Sequence, residues 1–338
     1  MRHIEKDVHR TDRHIPLFAG EDIPHPDPTS PFYNENSPGT NVHMEQMKDM
    51  LLTYLEYDTP PSTAPASDSA VPVNPHPQNL GYVQGMSDLL SPLYAVFQDD
   101  ALAFWCFVEF MKRMSRNFVR SQAGMRAQLS TLDQLVQLLD PKLYVHLQKL
   151  DSTNFFFFFR MLLVWYKREF EWTDVLRLWE SLWTDYLSSQ FHLFIAVAIL
   201  EKHRDVIMEH LRGFDEVLKY VNELSNTINL QDTLVKSETL FRRFEKTVQA
   251  IDKRGNFPAV PSGSEIRQRQ GKGKDAASQN PSAKGASTSS DAASRQTSDK
   301  PETKVISPDL RLLLSRKIIT LEESPEAAQS VRASGLKD

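Results

Sequence analysis

Apolar residues recur at helical spacing along most of this chain, and that period limits what it can fold into. In NVHMEQMKDMLLTYLEYD, residues Met47, Met50, Leu51, Tyr54 and Leu55 share one face. Over 100–118 the same spacing joins Phe104, Phe107, Val108, Met111 and Met114. WTDVLRLWESLWTDYL aligns Val175, Trp179, Leu182, Trp183 and Tyr186, with Thr173 or Asp174 as the expected N-cap. GFDEVLKYVNELSN aligns Phe214, Val217, Leu218, Val221 and Leu224, and DTLVKSETLFRRFEKTV aligns Leu234, Leu240, Phe241, Phe244 and Val248. PDLRLLLSRKIITLE, residues 308–322, predicts a late helix with Pro308 at its start. Few stretches alternate with period two, and none is bounded like a hairpin. The expected class is all-α, with helices packed through amphipathic faces.

Breaks in that period set the organisation. Residues 59–79, TPPSTAPASDSAVPVNPHPQN, are rich in Pro, Ala and Ser and read as a disordered insert. Residues 20–41 form a further loop punctuated by Pro and Gly. The expected layout is a helical domain over 1–250, a disordered linker over 251–305, a C-terminal helix over 306–323 and a disordered tail over 324–338. The 338 residues are 40% hydrophobic with 19 Phe and 5 Trp, enough for a sizeable core.

Composition also excludes function classes. A net charge of −5 argues against a bulk nucleic-acid binder, which is usually basic. A single cysteine, Cys106, rules out an internal disulfide framework and fits a reducing compartment. The first fifteen residues carry Arg2, Glu5, Lys6, Asp7, Arg10, Asp12 and Arg13, unlike a secretory signal. FFFFF at 155–159 with MLLVWY, and FHLFIAVAIL at 191–200, are broken or too short to span a membrane, which takes about 20 apolar residues. The expectation is a soluble intracellular protein. The Phe run predicts a helix buried on most sides, and Trp165, Trp179 and Trp183 read as core.

Chemistry-bearing patterns are few. His3, His9 and His14, and His203 with His210, lack the spacing that aligns metal ligands on a helix. Cys106 lies on the apolar face of LAFWCFVEF and reads as a buried small hydrophobe. No G-x-S-x-G, phosphate-cradling loop or dinucleotide fingerprint occurs. Two segments stand out. HIEKDVHRTDR places Asp7 and Arg10 three apart, one turn after Ile4, as an ordinary surface ion pair would. In NLGYVQGMSDLL, Gln84 and Gly85 end a polar insert where the hydrophobic pattern resumes.

Ile4, Asp7 and Arg10 spell I-x-x-D-x-x-R, and Tyr82 and Gln84 spell Y-x-Q. In that order they resemble the two catalytic motifs of the TBC family of Rab GTPase-activating proteins. The flanks RTDR, GYVQGMSDLLSPL, FWCF, YKREF (166–170), LRLWE (176–180) and FHLFIAVAIL extend the likeness over 1–250, apart from the insert. This wording is similar to the fungal vacuolar-Rab branch and its animal endolysosomal relatives.

The resemblance implies a multi-helix TBC domain that stimulates GTP hydrolysis by a Rab in its GTP state, in vesicle or endolysosomal traffic. It implies Arg10 as an arginine finger and Gln84 as a glutamine finger that orients the attacking water. An arginine supplied in trans is worth about 10³–10⁵ in rate. Asp7 would hold the guanidinium, Tyr82 would brace the loop, and Gly85 would let the backbone turn, with Ile4, Arg13 and Asp88 in support. Arg10 and Gln84 are then expected to face one open groove. The chain needs no cofactor of its own, since GTP and Mg²⁺ belong to the Rab. A cytoplasmic protein, peripheral at endolysosomal or vacuolar membranes through the Rab, is implied, with no membrane span. Family domains begin some helices earlier with an R-x-x-x-W motif. The chain therefore reads as N-terminally truncated, and Ile4 and Val8 are expected to lack cover. The rival expectation is a truncated, non-catalytic helical module that binds a Rab or a scaffold.

Overall fold

The computed structural model describes residues 2–19, 41–59, 74, 78–255 and 306–320. Among these, all regular structure is helical. In chain order the helices are α1 (Arg2–Arg10), α2 (Pro16–Ala19), α3 (Val42–Tyr57), α4 (Met86–Phe97), α5 (Asp100–Phe118), α6 (Ala123–Leu139) and α7 (Pro141–Lys149). A 3₁₀ turn at Phe156–Phe158 then leads into α8 (Phe159–Leu163). There follow α9 (Trp172–Trp183), α10 (His192–Lys202), α11 (Arg204–His210), α12 (Phe214–Glu223), α13 (Leu230–Gly255) and α14 (Pro308–Leu312). One compact unit comprises Met1–Glu245 with Ser307–Asp338, and a second comprises Lys246–Ile306. In the second, the described residues are the end of α13 and Ile306.

Local chemistry starts several of these helices. Asn41 Oδ1 accepts from the Met44 amide at 2.9 Å and caps α3, while Asp99 Oδ1 caps α5 through the Leu102 amide at 2.8 Å. Asp140 caps α7 through Leu143 at 3.0 Å, with Pro141 in the first helical position, where a missing N–H costs nothing. The core holds α10, buried at every position from His192 to Leu200. Helix α6 packs on it, and Phe194 lies against Phe241 and Phe244 of α13 at 5.2 and 5.6 Å between ring centres; Phe107 of α5, Leu132 of α6 and Trp179 of α9 are fully buried as well. No helix among the described residues is long and apolar enough to cross a membrane.

The helical period over 42–57 and 100–118 matches α3 and α5. Several other expectations are corrected. The N-cap of α9 is Glu171, not Thr173 or Asp174, and its side chain makes no cap bond. Trp165 and Trp179 are core, but Trp183 is 38% exposed. Cys106 is only half-buried. The Phe run forms a 3₁₀ turn and the start of α8 rather than one buried helix; Phe155, Phe157 and Phe158 are buried while Phe156 faces out. Helix α13 continues to Gly255, so 251–255 are helical and not linker.

The late helix spans Pro308–Leu312 and stops well short of the expected 306–323. Beyond it the Ser315 carbonyl accepts from the Ser189 amide at 3.0 Å and the Lys317 carbonyl from Ser189 Oγ at 2.6 Å. Tertiary donors take carbonyls that a helix would have used, so the apolar residues dock without helical backbone. Expected disorder over 60–73, 75–77, 256–305 and 324–338, and the loop over 20–40, fall outside the described residues. The end of the insert is tied down. Asp58, buried at the end of α3, accepts from the amides of Gln78 at 2.9 Å and Leu80 at 3.1 Å, and its carbonyl accepts from Asn79 at 3.0 Å. Chain leaving α3 is thus pinned to chain entering the Gln84 loop.

Candidate functional site

Helix α1 sets the first wall. Its i,i+3 spacing puts Asp7 and Arg10 on one face, and the two side chains pair. Burial separates their roles: Asp7 is 5% exposed and Arg10 is 59% exposed. Ile4 and Val8 are buried, since α1 packs on α3 and α4; the expected lack of cover is corrected. The helix ends at Thr11, whose amide bonds the Val8 carbonyl at 3.0 Å. Asp12 follows in the left-handed region at φ 53°, a conformation Asp tolerates.

The second wall is the loop into α4. Gly85 has φ 106°, and a Cβ there would meet Val164 Cγ1 at 3.2 Å. Both facts require glycine, which lets the chain turn and leaves Gln84 exposed at the turn. Asp7 binds this loop to α1: it accepts from Tyr82 Oη at 2.6 Å and from the Gly85 amide at 3.3 Å. Thr11 Oγ1 donates to Ser87 Oγ at 3.0 Å, and Ser91 Oγ donates to Asp12. Burial, then the hydrogen bond to Asp7, pushes the Tyr82 phenol well above its ordinary range, so it stays a donor.

A third wall comes from the turn between α8 and α9. Lys167 pairs with Asp12, both nearly fully buried, and lies 5.3 Å from the Trp172 ring centre. Arg168 grips Asp88 through two bonds, Nε to Oδ1 at 3.0 Å and Nη2 to Oδ2 at 2.6 Å. That fork holds the guanidinium above its usual range. Behind it Glu169 is buried, bonded to Arg160 Nε at 3.0 Å, and burial raises its carboxyl.

These walls enclose an open groove of about 480 Å³. Arg10 and Gln84 both line it, with Asp7, Thr11, Asp12 and Asp88 beneath and Lys167, Arg168 and Trp172 opposite. The two expected fingers therefore converge, although they come from distant parts of the sequence. Gln84 makes no side-chain hydrogen bond within the described residues, so its amide is available to a ligand. Arg10 is bonded at one edge to Asp7 and leaves other N–H groups outward.

Among the supporting residues, Tyr82, Gly85 and Asp88 belong to this constellation. Ile4 is core beneath it. Arg13 turns to the Met44 thioether, 3.0 Å away, and does not line the groove. Lys167, Arg168, Asp12, Thr11 and Trp172 were not singled out from sequence. YKREF and RTDR carry most of them, but nothing in the spacing showed that Asp12 and Lys167, 155 positions apart, would pair. Among the described residues no group of His, Cys, Asp or Glu is gathered as for a metal ion.

Comparison with known proteins gives a consistent picture. Residues 73–208, which include Gln84 but not Arg10, match the family model described as Rab-GTPase-TBC domain. The GTPase-activating protein GYP7 of Yarrowia lipolytica is 50% identical over 326 residues, 95% of this chain and 37% of that protein. TBC1 domain family member 17 of Homo sapiens is 41% identical over 240 residues, 71% of this chain and 31% of that protein. The chain thus spans about a third of the length of these curated relatives. The crystal structure of the Ypt/Rab-GAP domain of Gyp1p shares the fold, with a TM-score of 0.50 at 24% identity and 71% coverage of each chain. From the helical architecture and these matches, the chain belongs to the Rab-GTPase-TBC domain family.

Proposed function

We propose that this chain accelerates GTP hydrolysis by a Rab GTPase in its GTP state, with Arg10 and Gln84 supplied in trans. The observation that carries the reading is their convergence: an exposed guanidinium and an unbonded amide line one groove, while the residues beneath them are paired. Family membership and the likeness to GTPase-activating protein GYP7 support the same activity. In this reading Arg10 neutralises charge developing on the transferring phosphoryl oxygens, and the Gln84 amide orients the attacking water. Asp7 holds the guanidinium through a charge-assisted bond and, through Tyr82 and Gly85, holds the glutamine loop by the same carboxylate. GTP and Mg²⁺ are the partner's; this chain contributes side chains only. The proposed action is on the endolysosomal or vacuolar route, with membrane association through the Rab, a reading supported by the likeness of the motif flanks to the fungal vacuolar branch.

The test is single-turnover GTP hydrolysis by a panel of purified Rabs, with and without the chain. Stimulation of at least one Rab, lost in Arg10→Lys and reduced in Gln84→Ala, is the expected result. Binding to a GTP-loaded Rab without stimulation would replace this reading by a non-catalytic Rab-binding module.

A further inference from the structure

We infer that Lys167 and Arg168 are positioning residues that set the separation of Arg10 and Gln84, by pinning the two elements that bear them to one strained turn. The kinetic consequence rests on the GTPase-activating reading; the structural consequence does not.

Consecutive side chains reach different elements. Lys167 pairs with Asp12, two residues beyond Arg10, and Arg168 forks onto Asp88, four residues beyond Gln84. A rigid dipeptide therefore ties the end of α1 and the start of α4 to a common origin. The turn that aims it is costly. Trp165 and Tyr166 lie in the left-handed region at φ 49° and 59°, which disfavours L side chains by roughly 1–2 kcal/mol per residue. Such backbone persists where its surroundings over-determine it. Here Trp179 Nε1 holds the Trp165 carbonyl at 3.0 Å, Tyr166 Oη donates to the His192 carbonyl at 2.6 Å, and the Tyr166 amide bonds the Met161 carbonyl at 2.7 Å.

Stability alone does not account for the arrangement. A buried ion pair such as Lys167–Asp12 is commonly matched or bettered by apolar residues of like volume. What an ion pair adds is direction, and a forked Arg–carboxylate pair adds more of it. Both pairs act on groups adjoining the fingers, where displacement of about 1 Å can cost about 10²-fold in rate.

The experiment uses the full chain in a Cys106→Ser background with spin labels at Lys6→Cys on α1 and Val96→Cys on α4, both exposed positions. Two perturbations are compared. Arg168→Lys keeps the charge and removes the fork. Lys167→Met with Asp12→Asn removes both buried charges together, Asn being tolerated at positive φ. The expected result is a broadened or shifted label distance, with Tm nearly unchanged. Rab-stimulated kcat falls about tenfold or more, while KM changes by less than about threefold. An unchanged label distance in both variants overturns the inference. So does a raised KM at constant kcat, which would make Arg168 a docking contact. If the unmodified chain stimulates no Rab, the GTPase-activating reading fails, and the label distances alone decide the clamp.

Discussion

Tyr82→Phe removes one atom from the centre of the site and has a calculable effect. The Tyr82 hydroxyl donates to the Asp7 carboxylate at 2.6 Å, and Asp7 is nearly buried. A hydrogen bond to a charged acceptor contributes about 1.5–3 kcal/mol. After the change Asp7 keeps the Gly85 amide, a longer bond at 3.3 Å, and the exposed Arg10, whose pairing is screened by solvent. Neither replaces the phenol, so destabilisation of about 2 kcal/mol is expected, a roughly 30-fold fall in the folded-to-unfolded ratio. All five tryptophans lie in the unit that holds the site, so tryptophan fluorescence during urea unfolding reports on it. The midpoint should fall with an unchanged m value. In the hydrolysis assay kcat should fall more than KM rises, because the freed loop displaces Gln84 while the docking surface stays intact. A Tyr82→Phe chain with the wild-type midpoint and rate would refute the claim that this bond couples the loop to α1.

Arg10→Lys should abolish most stimulation while Rab binding persists, because Lys loses the planar fork; unfolding should shift by less than about 1 kcal/mol, the Arg10–Asp7 pair being exposed at one end. Gln84→Ala should slow single-turnover hydrolysis with no change in the urea midpoint, since Gln84 is exposed and unbonded. Gly85→Ala should destabilise by about 1–3 kcal/mol, given φ 106° and the Val164 methyl 3.2 Å from the new Cβ; an unshifted midpoint would show that the turn is relaxed. Burial, then the Arg116 and Arg113 charges, holds the His192 imidazole well below its ordinary value of 6.5. The unfolded chain therefore binds the proton first as pH drops below about 6.5, and stability falls there by up to about 1.4 kcal/mol per pH unit from this group. His192→Gln should flatten that slope between pH 6.5 and 5 in urea midpoints.

Legibility of the fold followed the source of each constraint. Helices α3 and α5 were readable because their apolar period lies within the segment; their caps, Asn41 and Asp99, adjoin it. The helix over 308–322 was over-extended because its apolar residues are satisfied by docking and its carbonyls by Ser189, which no local pattern records. The Phe run kept its burial and lost its helical form, since apolarity reports inside or outside more directly than backbone geometry. At the groove, Arg10 and Gln84 were singled out through motifs, and both line it. Lys167 and Arg168 act through partners 155 and 80 positions away, and Arg13, read as support, turns to Met44 instead.

The segment from Ser307 to Lys317 has a consequence for the order of events during synthesis. Ser307 Oγ bonds Gln134, Leu310 and Leu313 are buried, and Ser189 is bonded only once Ser315 and Lys317 exist. All belong to the unit whose other part ends at Glu245. At about 5–20 residues per second, a ribosome needs roughly 4–14 s to move from Glu245 to Lys317. During that interval the seat of this segment, along α6 and at Ser189, lacks the bonds that Ser307, Ser315 and Lys317 make to it. A nascent-chain holding factor would meet it there, and a chain stopped before Ser307 would carry the open seat permanently.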